Sequence, residues 1–128
     1  PDPGAHRLKL LVLGDENAIR RILDNLVSNA LAVTPAAGVI VVELWIDRAY
    51  TDALTISVRD SGPGLSAAEQ QRVFLPREQP SIGPGMGLGL SIVAELTEHL
   101  GGAYGVQSET GGGSTFWVRL PREEEAIR

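Results

Sequence analysis

Two asparagines near the start of the chain carry amide oxygens that could bind a metal ion. Asn25 and Asn29 are four residues apart, so a helix places both on one face, and Asn29 stands among apolar neighbours. Asparagine is a poor helix former, whereas its amide oxygen is a neutral ligand that suits Mg²⁺. The spacing therefore makes the pair candidate magnesium ligands. The alternative is a structural asparagine that hydrogen-bonds a neighbouring loop.

Asp60 is a candidate for ligand recognition. It has the strand parity of the apolar Ile56 and Val58, which predicts that its carboxylate points toward the core. A buried carboxylate needs a hydrogen-bond donor, and the exocyclic amine of adenine would supply one if the following glycines let a flat ligand approach. The alternative is an Asx-turn residue that caps the turn at Ser61 and Gly62.

Three glycine clusters stand at the ends or starts of predicted elements, at 60–64 (DSGPG), 83–89 (GPGMGLG) and 111–113 (GGG). The second cluster precedes a predicted helix, where converging backbone N–H groups and the helix dipole favour an anion such as phosphate. Its spacing does not match Gly-x-Gly-x-x-Gly, which argues against a dinucleotide-binding fold. A flexible hinge is the alternative reading of this cluster.

Composition narrows the class of protein. The 128 residues fit a single domain spanning 1–128, and the absence of cysteine excludes disulfides, cysteine nucleophiles and thiolate metal sites. Lys9 is the only lysine, so the sequence contains neither a P-loop motif nor a candidate for the strand lysine of protein kinases. A net charge of −5 without a basic stripe argues against nucleic-acid binding. No apolar stretch approaches the roughly 18 residues of a membrane span.

Hydrophobic periodicity predicts alternating helices and strands. The predicted elements are a strand over 8–13, a helix over 16–33, antiparallel strands over 40–46 and 54–58, a short helix over 66–73, a loop over 75–85, a second long helix stopped at 101–102, and a hairpin of strands over 104–108 and 115–120. The buried stripe expected on the second long helix consists of Leu88, Ile92, Val93, Leu96 and Leu100. Ser66 and Glu69 have the spacing of a capping box, which predicts the start of the short helix.

Four segments, taken together, resemble a known set of sequence boxes. They are 25–30 (NLVSNA), 60–64 (DSGPG), 85–93 (GMGLGLSIV) and 111–116 (GGGSTF). In order and spacing they resemble the N, G1, G2 and G3 boxes of the GHKL ATP-binding superfamily. Their residues are most similar to those of the catalytic and ATP-binding domain of bacterial sensor histidine kinases. The resemblance covers almost the whole chain, from Gly14 to Pro121.

The resemblance implies a fold, a ligand and a set of binding residues. The fold is an α/β two-layer sandwich of the Bergerat type, with a mixed, mostly antiparallel sheet covered on one face by about three helices. The ligand is Mg·ATP, bound beneath a lid over 75–84, with Asn29 on Mg²⁺ and Asp60 on the adenine amine. The implied ATP-binding residues are Asn25, Asn29, Asp60, Gly62, Gly64, Gly85, Gly87, Leu88, Gly89 and Thr115, with Arg77 as a possible lid cation.

The chain departs from the family pattern at positions that affect the functional prediction. Family members commonly carry a basic residue and an aromatic where this chain has Ala32 and Val33, and the lid segment after Phe74 is short. These departures keep open a regulatory nucleotide-binding module without productive phosphotransfer. Hydrolysing members and serine kinases of the superfamily place a general-base glutamate at the position of Asn25, and an amide cannot accept a proton. The resemblance therefore favours a histidine kinase over an ATPase or serine kinase.

The implied reaction needs partners beyond these residues. His6 and His99 lack the context of a phosphoacceptor, so no catalytic residue is assigned in this chain. The phosphoacceptor histidine is expected on a separate dimerisation domain outside this chain. The first strand of the sheet is expected to lie outside it as well. The expected downstream partner is a response regulator. We expect a monomeric chain, a homodimeric parent and a cytoplasmic location without membrane contact by this domain, while anchorage of the parent in the inner membrane stays open.

Overall fold

The computed structural model describes residues 16–47, 53–76 and 89–121. Its elements in chain order are α1 (Glu16–Val33), β1 (Ile40–Asp47), β2 (Ala53–Asp60), α2 (Ala67–Arg72), α3 (Gly89–His99), β3 (Ala103–Ser108) and β4 (Ser114–Leu120). The strand predicted over 8–13, most of the predicted lid, and the site candidates Arg77, Gly85, Gly87 and Leu88 lie outside the described residues. Within the three described ranges, no helix is both long and apolar enough to cross a membrane.

The sheet confirms the predicted sandwich. Its strand order is β1-β2-β4-β3, and all three described pairings are antiparallel. Both predicted hairpin pairs are present, with β1 beside β2 and β3 beside β4. One face of the sheet carries the core against the two long helices, which gives the two-layer arrangement expected of this fold.

The core is built from the alternating face of the two central strands and the buried stripe of α1. Ile56 of β2 lies opposite Val118 of β4, and both are fully buried. Helix α1 buries Ile22 and Leu26 against the same cluster. Burial of aliphatic side chains on matching faces is the main force that joins helix and sheet.

The ends of α1 and the start of α2 follow the sequence signals. Helix α1 spans the predicted residues, and its last turn closes with Thr34 N–H donating to the Ala30 carbonyl at 3.0 Å. Thr34 precedes a proline, which disfavours helical backbone there. At α2 the Ser66 hydroxyl accepts the Glu69 N–H at 3.1 Å, and the Glu69 carboxylate accepts the Ser66 N–H at 2.8 Å. The predicted capping box is therefore present.

Helix α3 ends as predicted but is rotated relative to the predicted stripe. The buried positions are Gly89, Leu90, Val93, Ala94 and Thr97. They include a regular i, i+3, i+4, i+7 series from Leu90. Of the predicted stripe, Val93 and Leu100 are buried, whereas Ile92 and Leu96 are only half-buried. The reason is that α3 packs chiefly on α1 and only lightly on the sheet, so α1 selects the buried face. The helix stops at Gly101, whose φ is +79°.

Strand β2 is buried on both faces rather than on one. Besides its core residues, Thr55 and Ser57 are also buried, although they point away from the helices. Thr55 lies opposite Trp45 of β1, and Ser57 lies opposite Trp117 of β4. Both indoles lie on the face of the sheet that carries no core cluster, and the Trp117 ring lies over Gly105 of β3, where an added Cβ would stand 2.5 Å from it.

Candidate functional site

A polar row closes one end of the core. Asp60 of β2 pairs with Ser114 of β4, which in turn pairs with Ser108 of β3. All three share the face of Val58 and Phe116, which form the next row inward. On this face of the sheet, the apolar row of Val58 and Phe116 is followed directly by the polar row at the ends of the strands. The candidate ligand residue Asp60 lies in that polar row.

Asp60 is buried, and its two carboxylate oxygens differ in their surroundings. Its residue exposure is 3%. The Oδ1 atom accepts the backbone N–H of Gly62 at 2.9 Å, which is the contact of an Asx turn. The Oδ2 atom is buried and has no hydrogen-bond partner among the described residues. A buried acceptor without a donor is costly, so this oxygen is available to a ligand donor.

The loop after Asp60 is pressed against the end of α1. A Cβ placed on Gly62 would stand 2.7 Å from the Val33 carbonyl oxygen and 3.0 Å from Asp60 Oδ1, so only glycine fits. Next to this contact is an open cavity of about 530 Å³. Its lining residues are Ala32, Val33, Thr34, Pro35, Ser61, Gly62 and Pro63. The cavity is thus formed by the C-terminal end of α1 and the loop that begins at Asp60.

The same loop is held on its other side by the turn between β3 and β4. The Gly111 N–H donates to the Pro63 carbonyl at 2.6 Å, and the Leu65 N–H donates to the Ser108 hydroxyl at 2.7 Å. The Gln70 side-chain amide donates to the carbonyls of Leu65 and Ser108, each at 3.1 Å. These contacts fix the loop after Asp60 between α1 and the β3–β4 hairpin, two elements that are remote from it in sequence, and the following helix α2 adds the Gln70 contacts.

Gly64 completes this docking of loop on hairpin. Its φ is +78°, a conformation that L side chains rarely adopt. A Cβ on Gly64 would also collide with the carbonyl of Glu109 in the β3–β4 turn. Glycine is therefore required at position 64 both by the backbone conformation and by the close approach of the β3–β4 turn.

Asn25 and Asn29 lie on one face of α1, as predicted. The Asn25 amide donates to the Arg21 carbonyl at 2.8 Å, and a Cβ placed on Gly89 would stand 3.3 Å from Asn25 Oδ1. Asn25 therefore packs against the first residue of α3. Asn29 is half-buried and lies one turn further along, between Asn25 and the cavity residue Val33 on the same helix face.

Thr115 does not lie where the resemblance implies. It pairs with Arg59 and Gln107, so its side chain is on the opposite face of the sheet from Asp60. Ser114 is the hydroxyl residue that shares the Asp60 face, and it is buried. Alternation along β4 puts residues 114, 116 and 118 on the core face, and the buried Phe116 fixes that parity.

Two further residues were missed by sequence reasoning. Thr34 lines the cavity, and its Oγ1 is buried without a hydrogen-bond partner among the described residues. Ser61 bridges to the segment before β1, since its hydroxyl accepts the Val39 N–H at 2.8 Å and its own N–H donates to the Val39 carbonyl at 3.1 Å. The parity of β4 could have identified Ser114, whereas nothing in the sequence marks the environment of Thr34.

Phe74 ties the residues before the predicted lid to the sheet. Its ring centroid lies 4.7 Å from that of Tyr104 and 6.0 Å from that of Phe116. Such tilted and edge-to-face pairs are favourable aromatic geometries. The Tyr104 hydroxyl also donates to the Glu98 carboxylate at 2.9 Å, so β3, α3 and the segment after α2 are joined here.

The metal-binding capacity of the described residues is confined to isolated donors. Within the described ranges, no group of three or more histidine, aspartate or glutamate residues could hold a metal ion. Asn29 offers one amide oxygen, one helical turn before the cavity residue Val33. One or two protein ligands suit Mg²⁺ when phosphate oxygens and water complete its shell.

The chain has clear relatives. Residues 14–124 match the family described as histidine kinase-, DNA gyrase B-, and HSP90-like ATPase. The sensor protein IrlS of Burkholderia pseudomallei is 39% identical over 120 residues, covering 90% of this chain and 25% of that protein. The mycobacterial sensor histidine kinase MprB superposes with a TM-score of 0.75 at 28% identity, covering 88% of this chain and 77% of that one.

A full-length structure in complex with AMPPNP belongs to the same set. That protein, ShkA, superposes with a TM-score of 0.74 at 36% identity, covering 88% of this chain and 23% of that one. The chain spans between 12% and 29% of the length of the curated relatives it matches. The family match extends over most of the chain and includes all four boxes. The chain therefore belongs to the histidine kinase-, DNA gyrase B- and HSP90-like ATPase family, as an ATPase domain of the type found in two-component sensor histidine kinases.

Proposed function

We propose that this chain binds Mg·ATP in the cavity between the end of α1 and the loop that follows Asp60, and delivers the γ-phosphoryl group to a histidine of a separate dimerisation domain. The observation that carries the proposal is the buried Asp60 Oδ2, which has no partner among the described residues. Family membership supports ATP as the ligand.

We expect adenine recognition to depend on the different surroundings of the two Asp60 carboxylate oxygens. Because Oδ1 already accepts the Gly62 N–H, Oδ2 is the oxygen left to accept a hydrogen bond from the ligand. The exocyclic amine of adenine is a donor of the right kind, whereas a purine with a 6-oxo group presents an acceptor to an acceptor. Gly62 keeps the loop pressed on the end of α1 beside the cavity, since any side chain there would collide with the Val33 carbonyl.

Asn29 is the proposed Mg²⁺ ligand. Its amide oxygen belongs to the hard, neutral oxygen donors that Mg²⁺ accepts, and its helix face leads to the cavity. When bound, Mg²⁺ would neutralise charge on the triphosphate. Of the remaining proposed ATP contacts, Gly89 begins α3 beside Asn25, and Gly85, Gly87, Leu88 and Arg77 are assigned by their motif positions alone.

No residue of this chain is proposed as a catalytic base. Asn25 occupies the position where other superfamily members carry glutamate, and its amide is engaged with the Arg21 carbonyl and the start of α3. An amide cannot take a proton from water, so hydrolysis by the chain alone is expected to be slow. Its contribution is to hold the nucleotide and orient the phosphoryl group.

The proposed partners follow from the reaction. A dimerisation domain carrying the phosphoacceptor histidine receives the phosphoryl group, and a response regulator receives it next. The relatives that match this chain are several times longer, which is consistent with such additional domains. We propose a monomeric chain, a homodimeric parent, and a cytoplasmic location where ATP is available.

A radiolabelled phosphotransfer assay tests this function. The chain is mixed with Mg²⁺, γ-labelled ATP and a histidine-bearing dimerisation domain from its parent protein. The expected product is acid-labile, alkali-stable phosphate on that domain, and its yield should fall with Asp60→Asn. Steady release of phosphate by the chain alone would instead favour an ATPase.

A second candidate function is a regulatory nucleotide-binding module without phosphotransfer. It is favoured by the cavity wall, where Ala32 and Val33 offer neither a cation for phosphate nor an aromatic surface for the base. Tight nucleotide binding without any labelled histidine would support this candidate over the kinase.

A further inference from the structure

The Ser108 hydroxyl is saturated with hydrogen bonds. It accepts the Leu65 N–H at 2.7 Å, contacts the Gly113 carbonyl oxygen at 2.8 Å, and contacts the Ser114 hydroxyl at 2.9 Å. A serine hydroxyl has one hydrogen and two lone pairs. The Gly113 carbonyl can only accept, so the single hydrogen of Ser108 is committed to it.

This assignment fixes the direction of the Ser108–Ser114 hydrogen bond. Since Ser108 has no second hydrogen, the bond between the two hydroxyls must be donated by Ser114. The Ser114 hydrogen therefore points toward β3, away from its other strand neighbour Asp60. What Ser114 leaves on the Asp60 side is a lone pair.

Asp60 and Ser114 consequently present acceptors only. Asp60 Oδ2 is a buried carboxylate oxygen with no donor among the described residues, and the adjacent Ser114 hydroxyl has already given its hydrogen to Ser108. A ligand group seated against this pair is stabilised if it donates and is penalised if it accepts. Unpaired acceptors facing each other in a buried site are costly.

We infer that Ser108 is a specificity-determining positioning residue: by consuming the Ser114 hydrogen, it makes the acceptor pair of Asp60 and Ser114 select a 6-amino purine over a 6-oxo purine. Ser108 does not touch the base. It acts through Ser114 and through its hold on the Leu65 N–H in the Asp60 loop. The inference rests on the proposed nucleotide function, because it concerns how the same site chooses its base.

The test compares two diphosphates that differ at one position of the base. ADP carries the 6-amino group and IDP the 6-oxo group, and calorimetry measures both dissociation constants with the 128-residue chain in Mg²⁺. The wild-type chain is expected to prefer ADP by at least about tenfold. Ser108→Ala frees the Ser114 hydroxyl to turn and donate, so the ADP-to-IDP preference should fall severalfold.

A double variant separates this account from simple loosening of the loop. In Ser108→Ala with Ser114→Ala the freed hydrogen is gone, so the preference for ADP should return even though both affinities are lower. Gln107→Ala is the matched control, because Gln107 neighbours Ser108 on the opposite face. It should leave the ratio unchanged. If Ser108→Ala does not fold, Ser108→Cys keeps a similar volume with a weak acceptor and should also lower the ratio.

Two results would overturn the inference. One is an equal loss of ADP and IDP affinity in Ser108→Ala, since a merely structural role leaves the ratio intact. The other is a reduced ratio that the double variant does not restore. Failure of the wild-type chain to bind either diphosphate would overturn the proposed function itself, and is distinguishable because the ratio then cannot be formed for any variant.

Discussion

The backbone N–H of Gly62 donates to Asp60 Oδ1 at 2.9 Å, and this one contact divides the carboxylate into a structural half and a free half. The sequence leaves open whether Asp60 caps a turn or meets a ligand. The structure assigns the turn to Oδ1 and leaves Oδ2 buried with no described partner. The two roles are compatible because a carboxylate has two oxygens.

This division predicts the behaviour of Asp60→Asn. The asparagine oxygen can still accept the Gly62 N–H, so the turn should survive, but an amide NH₂ then replaces Oδ2 and confronts the adenine amine donor-to-donor. ADP affinity should fall roughly 10- to 100-fold. Pyrophosphate, which lacks the base, should bind as before. Equal losses for both ligands in a titration would point to misfolding instead.

Gly62 should be intolerant of a side chain. The added methyl group of Gly62→Ala would stand 2.7 Å from the Val33 carbonyl oxygen, so the loop must move away from α1. We expect about 1–3 kcal/mol lower stability in urea unfolding, together with weaker nucleotide binding. Gly112→Ala is the control, since its Cβ meets nothing closer than 3.5 Å. A harmless Gly62→Ala would mean that the loop is not pressed on α1.

The packing of α1 against the sheet should make a large contribution to the free energy of unfolding. Leu26 is 1% exposed within the core cluster, whereas Leu31 on the same helix is 64% exposed. Leu26→Ala should lower the free energy of unfolding by about 2–5 kcal/mol. Leu31→Ala should change it by less than about 0.5 kcal/mol. Similar effects of the two substitutions on the midpoint of denaturation would contradict this packing.

The contact between Tyr104 and Glu98 should give an alkaline limit to stability. The hydrogen bond to the Glu98 carboxylate, with burial and the nearby negative charge, raises the pKa of Tyr104 above its ordinary 10.0. A raised tyrosine pKa stabilises the fold below pH 10.0, and that contribution is lost as pH rises through the folded value.

Tyr104→Phe tests this dependence. The variant should be about 1 kcal/mol less stable than the wild type at pH 8, because the hydrogen bond at 2.9 Å is gone. The gap in unfolding free energy should narrow above pH 10, where the wild-type tyrosine also loses the bond. A gap that stays constant up to pH 11.5 would show that ionisation of Tyr104 is not the cause.

Local signals were sufficient for most of the element boundaries. The 3.6-residue spacing and the Thr34-Pro35 stop predict α1 at its observed bounds, and the Ser66–Glu69 capping box predicts the start of α2. These features depend on residues that are neighbours in the chain, so they can be predicted from the sequence alone.

Features that depend on packing between elements were predicted less well. The buried face of α3 is chosen by α1, and β2 also buries Thr55 and Ser57 on its second face. In the site, Asp60 was placed on the correct face by parity, whereas the same parity rule favours Ser114 over the predicted Thr115. The Ser108 contacts require the strand register, which the sequence does not provide.

Nucleotide binding at this site can be measured by calorimetric titration of the 128-residue chain with a non-hydrolysable ATP analogue, once with Mg²⁺ and once with a chelator. We expect saturable binding that tightens with Mg²⁺, and we expect the two titrations to converge in an Asn29→Ala variant. A thermal-shift measurement at a hundred times the dissociation constant should report about 2.7 kcal/mol of added stability. Absence of both heat and thermal shift with the wild-type chain would contradict nucleotide binding at this site.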